Sequence, residues 1–85
     1  MAERLVGTVS HYYGKVGVVG IELSDELAVG DTIRIVGHTS DFTQTVDSMQ
    51  IEHQDVATGK PGDPVGIKVS DRARVNDQVY VVTDA

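Results

Sequence analysis

"GDTIRIVG", at residues 30–37, combines a turn with a strand and indicates the fold class. Gly30 tolerates a positive φ, and the Asp31 side chain can accept hydrogen bonds from nearby backbone N–H groups, so the pair predicts a tight turn. In the strand that follows, Ile33 and Ile35 alternate with polar residues, which predicts one buried face and one exposed face. The stretch is therefore typical of an antiparallel strand on one side of a core.

The same pattern of a turn followed by a strand occurs twice more along the chain. It reads GDPVGI from Gly62 and NDQVYV from Asn76, each time with apolar residues at alternate positions. The intervals between the three turns are unequal, so they are a recurrent local device and not a sequence repeat.

Six β-branched runs separated by Gly, Asp, Asn and Pro cover most of the chain, and no window has a helical stripe. They read RLVGTVSHYY, VGVVGIEL, DTIRIVG, FTQTVDSMQIEH, DPVGIKV and DQVYVV. The fourth run changes phase near Asp47 and Ser48, because Phe42 and Val46 share one phase whereas Met49 has the other. Such a switch predicts a bulge or a corner, which small closed barrels need. We therefore predict an all-β fold, a six-stranded closed antiparallel β-barrel.

Composition limits the size, the compartment and the partners. The chain has 85 residues, so we predict a single domain, 1–85, with its core at about 4–82. It has no cysteine, which excludes disulfides and thiolate metal sites. The absence of a long apolar run predicts a cytoplasmic protein that does not enter a membrane. The net charge of −6 excludes a broad basic face for nucleic acid, so any RNA contact would be local.

The stretch HYYGKVGVVG, residues 11–20, carries the first candidate site. Its three glycines match neither the P-loop nor the dinucleotide fingerprint, so they predict a hairpin turn and a curved strand. Tyr12, Tyr13 and Lys15 lie beside that turn. Aromatic rings next to a lysine can stack a base and hold its phosphate. The alternative is that the tyrosines only pack the rim of the domain.

A second candidate cluster lies in KVSDRAR, where Lys68, Arg72 and Arg74 could contact RNA or a partner. The alternative is ordinary solvated charge. The three histidines have no ligand spacing and no cysteine beside them, so no metal site is predicted. No nucleophile elbow or Ser–His spacing occurs, and we therefore expect no catalytic residues, no cofactor and no enzyme activity.

In their order along the chain, these features closely resemble domain 2 of the translational GTPases. The most specific pieces are LAVGDTIRIVG and PGDPVGIKV, and the resemblance extends over nearly the whole chain, as in a free-standing translation elongation factor-like protein. It implies a six-stranded barrel of the elongation-factor type, which in those factors helps to hold the 3′ end of tRNA. The chain has no G-x-x-x-x-G-K-[ST] motif, so we expect it to bind no GTP. A similar barrel is also appended to collagenase-like peptidases, some of which act with RNA-modification systems.

Two functions follow as hypotheses. The first is a non-catalytic module that contacts tRNA or another RNA end. The second is a protein-interaction module that docks on a larger enzyme, such as a collagenase-like peptidase or an RNA-modification system. The second hypothesis is motivated by the acidic balance and the small size of the chain.

Overall fold

The computed structural model describes residues 2–83, and this range is all-β, with no helix. The predicted fold class is thereby confirmed. The described residues accordingly contain no helix of the length and apolarity that a membrane span requires. There are ten strands: β1 (Ala2–Tyr13), β2 (Val18–Leu23), β3 (Leu27–Ala28), β4 (Thr32–Val36), β5 (Asp41–Thr45), β6 (Met49–Ile51), β7 (Gln54–Asp55), β8 (Thr58–Gly59), β9 (Pro64–Lys68) and β10 (Gln78–Thr83).

Eight of the strands form one antiparallel sheet in the order β5-β4-β10-β1-β2-β9-β6-β7, and β3 pairs with β8 in a second, two-stranded sheet. The prediction of a six-stranded closed barrel is wrong in both strand number and closure. The large sheet has two ends, β5 and β7, and within residues 2–83 no backbone ladder joins them.

The predicted phase switch corresponds to a corner between β5 and β6. Residues 46–48 are not in a strand, and Val46 and Met49 on either side of the corner are both buried. The Val46 N–H donates to the Asp31 carbonyl at 2.8 Å, which continues the pairing with the β4 side by one residue before the chain turns. After the corner, β6 pairs with β9 and β7, near the other end of the strand order. A bend in one strand therefore connects the two sides of the sheet without a ladder between them.

A side chain, instead of a ladder, links β5 to the segment after β9. The Gln44 Nε2 donates to the Lys68 carbonyl at 2.8 Å, and its Oε1 accepts from the Ser70 N–H, also at 2.8 Å. One amide group thus satisfies a backbone acceptor and a backbone donor, as a neighbouring strand would.

The three predicted turns share one geometry. In each turn the N–H of the aspartate donates to the carbonyl of the residue three positions earlier. The aspartate carboxylate accepts a second hydrogen bond, from the N–H of that earlier residue. The residue before each aspartate has a positive φ: Gly30 at 97°, Gly62 at 90° and Asn76 at 76°. A backbone hydrogen bond between the first and fourth residues, with a positive φ at the third, is typical of a type II turn. The prediction of a turn before each of these strands is therefore confirmed.

The core consists of fifteen buried apolar side chains, most of them β-branched. Alternate residues of β2, β4, β9 and β10 point inward, as the sequence periodicity predicts. The core residues are Val6, Val9, Val19, Ile21, Leu23, Leu27, Ile33, Ile35, Val46, Met49, Val65, Ile67, Ala73, Val79 and Val81.

Candidate functional site: a glycine-floored groove on the outer face of the sheet

Two glycines on adjacent strands lie side by side in one cross-strand row of the large sheet. Gly20 pairs with His11 on one side and with Gly66 on the other, and Gly66 pairs in turn with Gln50. The neighbours of the two glycines along β2 and β9 are buried, so by alternation this row lies on the outer face. Two adjacent strands therefore have no side chain at the same level of the sheet.

Neither glycine of this floor is required by the fold. Neither has a positive φ. A Cβ added at Gly66 would lie 3.7 Å from its nearest neighbour, the Val18 Cγ1, and one at Gly20 would lie 3.4 Å from the His11 Cβ. At Gly7, by contrast, a Cβ would lie 2.7 Å from the Glu22 carbonyl oxygen. Glycine inside a strand often marks a place where another molecule approaches the backbone closely.

Two ring side chains of β1 form one wall of the groove. The rings of His11 and Tyr13 are stacked, with centroids 5.9 Å apart and planes inclined by 12°. Both side chains follow the outward phase of the strand, and Tyr13 is 52% exposed. Both rings therefore stand on the outer face of the sheet, beside the glycines.

The opposite wall comes from β6 and its connection to β7. Glu52 and His53 form a two-residue hairpin loop, since Ile51 pairs with Gln54. Both loop residues have a positive φ, 53° and 65°, as in the type I′ turns that favour Asn and Gly. The groove between the walls has a volume of about 660 Å³. The remaining lining is mostly apolar and includes Ser10, Val16, Val18, Ile21, Pro64 and Val65.

The groove carries one formal charge. With histidines counted as neutral, Glu52 is the single charged side chain among the described residues that line it. Over residues 2–83, Glu52 makes no ion pair within 4 Å. The Gln50 Nε2 donates to the Asp55 carboxylate at 3.0 Å, which leaves the Gln50 Oε1 as an acceptor. The groove therefore offers aromatic faces and hydrogen-bond acceptors, with no cation of its own.

The structure separates the two tyrosines that were predicted as a contact pair. Tyr13 lines the groove, whereas Tyr12 packs half-buried against the core. Adjacent residues in a strand point to opposite faces, so Tyr12 and Tyr13 cannot form one stacking platform. Lys15 is exposed in the β1–β2 turn.

The other three predicted cations divide between two places. Lys68 pairs with Val18, which pairs with Tyr13, so Lys68 lies in a cross-strand row next to the glycine row. Arg72 and Arg74 instead line a separate pocket of about 320 Å³, together with Thr39, Ser40, Asp41, Phe42 and Asp71. Two aspartates share that pocket with the arginines. The six predicted contact residues therefore do not form one surface.

A third polar cluster is satisfied within the protein. The Arg34 side chain donates to both carboxylate oxygens of Asp41, each at 2.9 Å, and to Glu3 at 3.1 Å. The hydrogen bonds to Asp41 and Glu3 raise the pKa of Arg34, and the bond from Arg34 holds the pKa of the Asp41 carboxyl below its usual range. These contacts join β1, β4 and β5. Among the described residues, no three His, Asp or Glu side chains are grouped so as to hold a metal ion.

Sequence reasoning considered the groove residues singly and therefore missed the groove. His11 and His53 were considered as metal ligands, and Gly20 was considered as a bulge or a curved strand. The available signal was a glycine at an outward position of two strands, in VVGIEL and in PVGIK.

The fold defined by this sheet is shared with a domain of a peptidase. Two crystal structures of the C-terminal domain of a "putative U32 peptidase" from Geobacillus thermoleovorans match it with TM-scores of 0.88 and 0.85. Their sequences are 18% and 19% identical to this chain. The matches extend over 93% and 89% of this chain and over 92% and 96% of the two domains, respectively. At this identity the likeness establishes the fold.

Sequence comparison points to proteases as well, although no family model matches the chain. An "uncharacterized protease" of Methanocaldococcus jannaschii is 42% identical over 80 residues, which is 93% of this chain and 20% of that protein. A "collagenase" of Porphyromonas gingivalis is 34% identical over 77 residues, which is 88% of this chain and 21% of that protein. The chain therefore spans about a fifth of the length of the curated relatives it matches.

These comparisons overturn the assignment to a translation elongation factor-like protein with an elongation-factor domain 2. The relatives are named protease and collagenase, and the matching domain belongs to a peptidase. The motifs that suggested the translational GTPases, LAVGDTIRIVG and PGDPVGIKV, contain two of the type II turns described above. A turn that begins a strand is a local device, and it does not determine the protein to which a domain is attached.

Proposed function

We propose that this chain is a non-catalytic accessory module of a collagenase-like peptidase, which docks on the peptidase part of the enzyme in the cytoplasm. The observation that carries the proposal is the 42% identity to a fifth of a protease. A match of this extent corresponds to one domain of a larger enzyme. This was the alternative hypothesis from the sequence, and the comparisons favour it over the RNA module.

The geometry of the groove supports a binding role without catalysis. Ser10 is the one hydroxyl-bearing aliphatic side chain in its lining, and its Oγ donates to the Gly20 carbonyl at 3.3 Å. A nucleophilic serine is normally hydrogen-bonded to a base, but the neighbouring His11 is stacked on Tyr13 instead. The groove therefore has surface for a partner and no activated nucleophile.

The charge distribution disfavours the RNA hypothesis. Within the described range 2–83 no lysine or arginine lines the groove, and Glu52 would repel a phosphate there. In the second pocket, Asp41 and Asp71 stand beside Arg72 and Arg74. Neither lining carries a net positive formal charge, on which affinity for nucleic acid mainly depends.

Affinity capture from a lysate of the native host tests the proposal. The tagged protein is captured in two halves, one of them treated with RNase before elution, and the eluates are analysed by mass spectrometry and RNA gel. We expect a collagenase-like peptidase to be retained in both halves. Recovery of tRNA, with protein partners that are lost after RNase treatment, would refute the proposal and restore the RNA module.

A further inference from the structure

We propose that the groove over Gly20 and Gly66 binds an arginine side chain presented by an extended segment of the peptidase partner. The source of the segment rests on the proposed function, whereas the chemistry of the groove stands on the structure alone.

The ligand approaches the face of the sheet and not its edge. β2 lies between β1 and β9, and β9 lies between β2 and β6, so the strands of the floor have partners on both sides. A peptide cannot add to either of them as a new strand. Contact must come from a side chain that descends onto the floor, and the two glycines provide the depth for it.

The ligand is cationic at this point. The lining supplies the Glu52 carboxylate and the Gln50 Oε1 as acceptors, and over residues 2–83 it includes no lysine or arginine. Lys68 lies outside the lining, in the adjacent cross-strand row. The whole chain has a net charge of −6, which favours the approach of positive groups over that of negative ones. An anionic or phosphorylated segment would meet repulsion at the same place.

The shape of the groove favours arginine over lysine. A planar guanidinium can stack on an outer ring face of the stacked His11–Tyr13 pair while its N–H groups point to the acceptors. Its methylene stem can lie on the apolar surface of Val18 and Pro64. The ammonium of lysine is a compact, strongly hydrated charge and gains less from such a flat site.

The turn that bears Glu52 is held in a costly conformation. Left-handed backbone is unfavourable at a residue other than glycine, and both Glu52 and His53 adopt it. Asn-Gly would make the same hairpin at lower cost. Strained backbone of this kind is concentrated at functional sites, which agrees with a role for Glu52 in binding.

The test is an NMR titration of the ¹⁵N-labelled protein with acetyl-Gly-Ser-Arg-Ser-Gly-amide at millimolar concentration. Peptides with lysine or citrulline in place of the arginine serve as ligand controls, since citrulline keeps the planar shape and lacks the charge. We expect saturable shifts at the amides of Gly20, Gly66 and Glu52, with affinity in the order arginine, lysine, citrulline. The absence of shifts with the arginine peptide, or equal affinity for citrulline, would overturn the proposal.

Two variants and one control locate the site. Glu52→Gln should weaken binding of the arginine peptide by about 2–5-fold, the range of an exposed ion pair. Gly66→Val should abolish binding because its side chain fills the floor. Glu26→Gln, an exposed carboxylate outside the groove lining, should leave the affinity unchanged. If Glu26→Gln and Glu52→Gln weaken binding equally, the attraction is diffuse and the groove assignment is wrong.

The same experiments separate failure of this inference from failure of the proposed function. If the peptidase is captured from the lysate but the arginine peptide does not bind, docking stands and the groove assignment falls. If the peptide binds in the groove but no peptidase is captured, the groove chemistry stands and its assignment to a peptidase partner falls. A short single-stranded RNA that shifts the Gly20 and Gly66 amides would overturn the charge argument.

Discussion

The strongest test of the groove is the exchange of a single hydrogen atom for a methyl group at two glycines, Gly66→Ala and Gly7→Ala. Both are interior strand positions without a positive φ, so the change lowers the entropy of the unfolded chain equally in the two variants. This common gain is about 0.5–1 kcal/mol. The difference in stability between the variants therefore reports what each new methyl group meets in the folded state.

The structure predicts opposite results at the two positions. At Gly66 the nearest atom to a Cβ is 3.7 Å away, so the variant should be more stable than the parent by about 0.5–1 kcal/mol. At Gly7 a Cβ would lie 2.7 Å from both the Glu22 carbonyl oxygen and the Ile21 Cγ2. Overpacking of this kind costs about 1–3 kcal/mol, and this is the expected gap between the variants.

Urea unfolding and thermal melts of the three proteins measure the gap. For a domain of this size, each kcal/mol shifts Tm by about 4–8 °C, so Gly66→Ala should melt above the parent and Gly7→Ala below Gly66→Ala by at least that step. Equal m-values would show that the changes act on stability and not on the extent of unfolding. If Gly66→Ala were destabilising by 1 kcal/mol or more, the fold would need the glycine and the argument for an open floor would fail.

Three further predictions concern the core, the corner and the acid range. Ile21→Ala, at a fully buried position, should lower the free energy of unfolding by about 2–5 kcal/mol in urea titrations, a large part of the stability of a small domain. Gln44→Ala should speed hydrogen exchange of the Ser70 amide with little effect on the central strands, because that amide loses its acceptor; unchanged exchange would show that the link is not kept in solution. Asp41→Asn should be less stable than the parent at neutral pH, because Arg34 lowers the pKa of the Asp41 carboxyl in the folded state. This contribution is present above the unfolded pKa of about 4 and is lost as the pH falls through the lower folded pKa, so urea titrations of the two proteins should converge in acid.

The features that could be predicted from the sequence are the local ones. The turns before Thr32, Pro64 and Gln78 were predicted from two residues each, because a glycine or asparagine with an aspartate is sufficient to form them. The corner near Asp47 was predicted from a change of phase in the apolar residues of one run, which is also a local signal. Each signal lies within a few residues of the structure that it specifies.

The features that the sequence did not predict depend on pairing between distant segments. Closure of the sheet would require β5 to pair with a strand at the other end of the sheet. The alternation of side chains along β5 does not encode that pairing. The groove depends on the register that places Gly20 opposite Gly66, and a shift of one residue would separate the two glycines and remove the floor. The division of Tyr12 from Tyr13 was within reach, since alternation along β1 already separates them.

The position of the groove in the sheet suits a recognition surface. Its floor is built from β2 and β9, which are hydrogen-bonded on both sides, so the floor is rigid before a ligand arrives. A preorganised site loses less conformational entropy on binding than a mobile loop does. The ends of the sheet suit that purpose less well, because β7 has two residues and β5 is linked through Gln44 to the segment after β9. Short or covered edges resist unspecific strand pairing, so specific binding is best placed on the face, over Gly20 and Gly66.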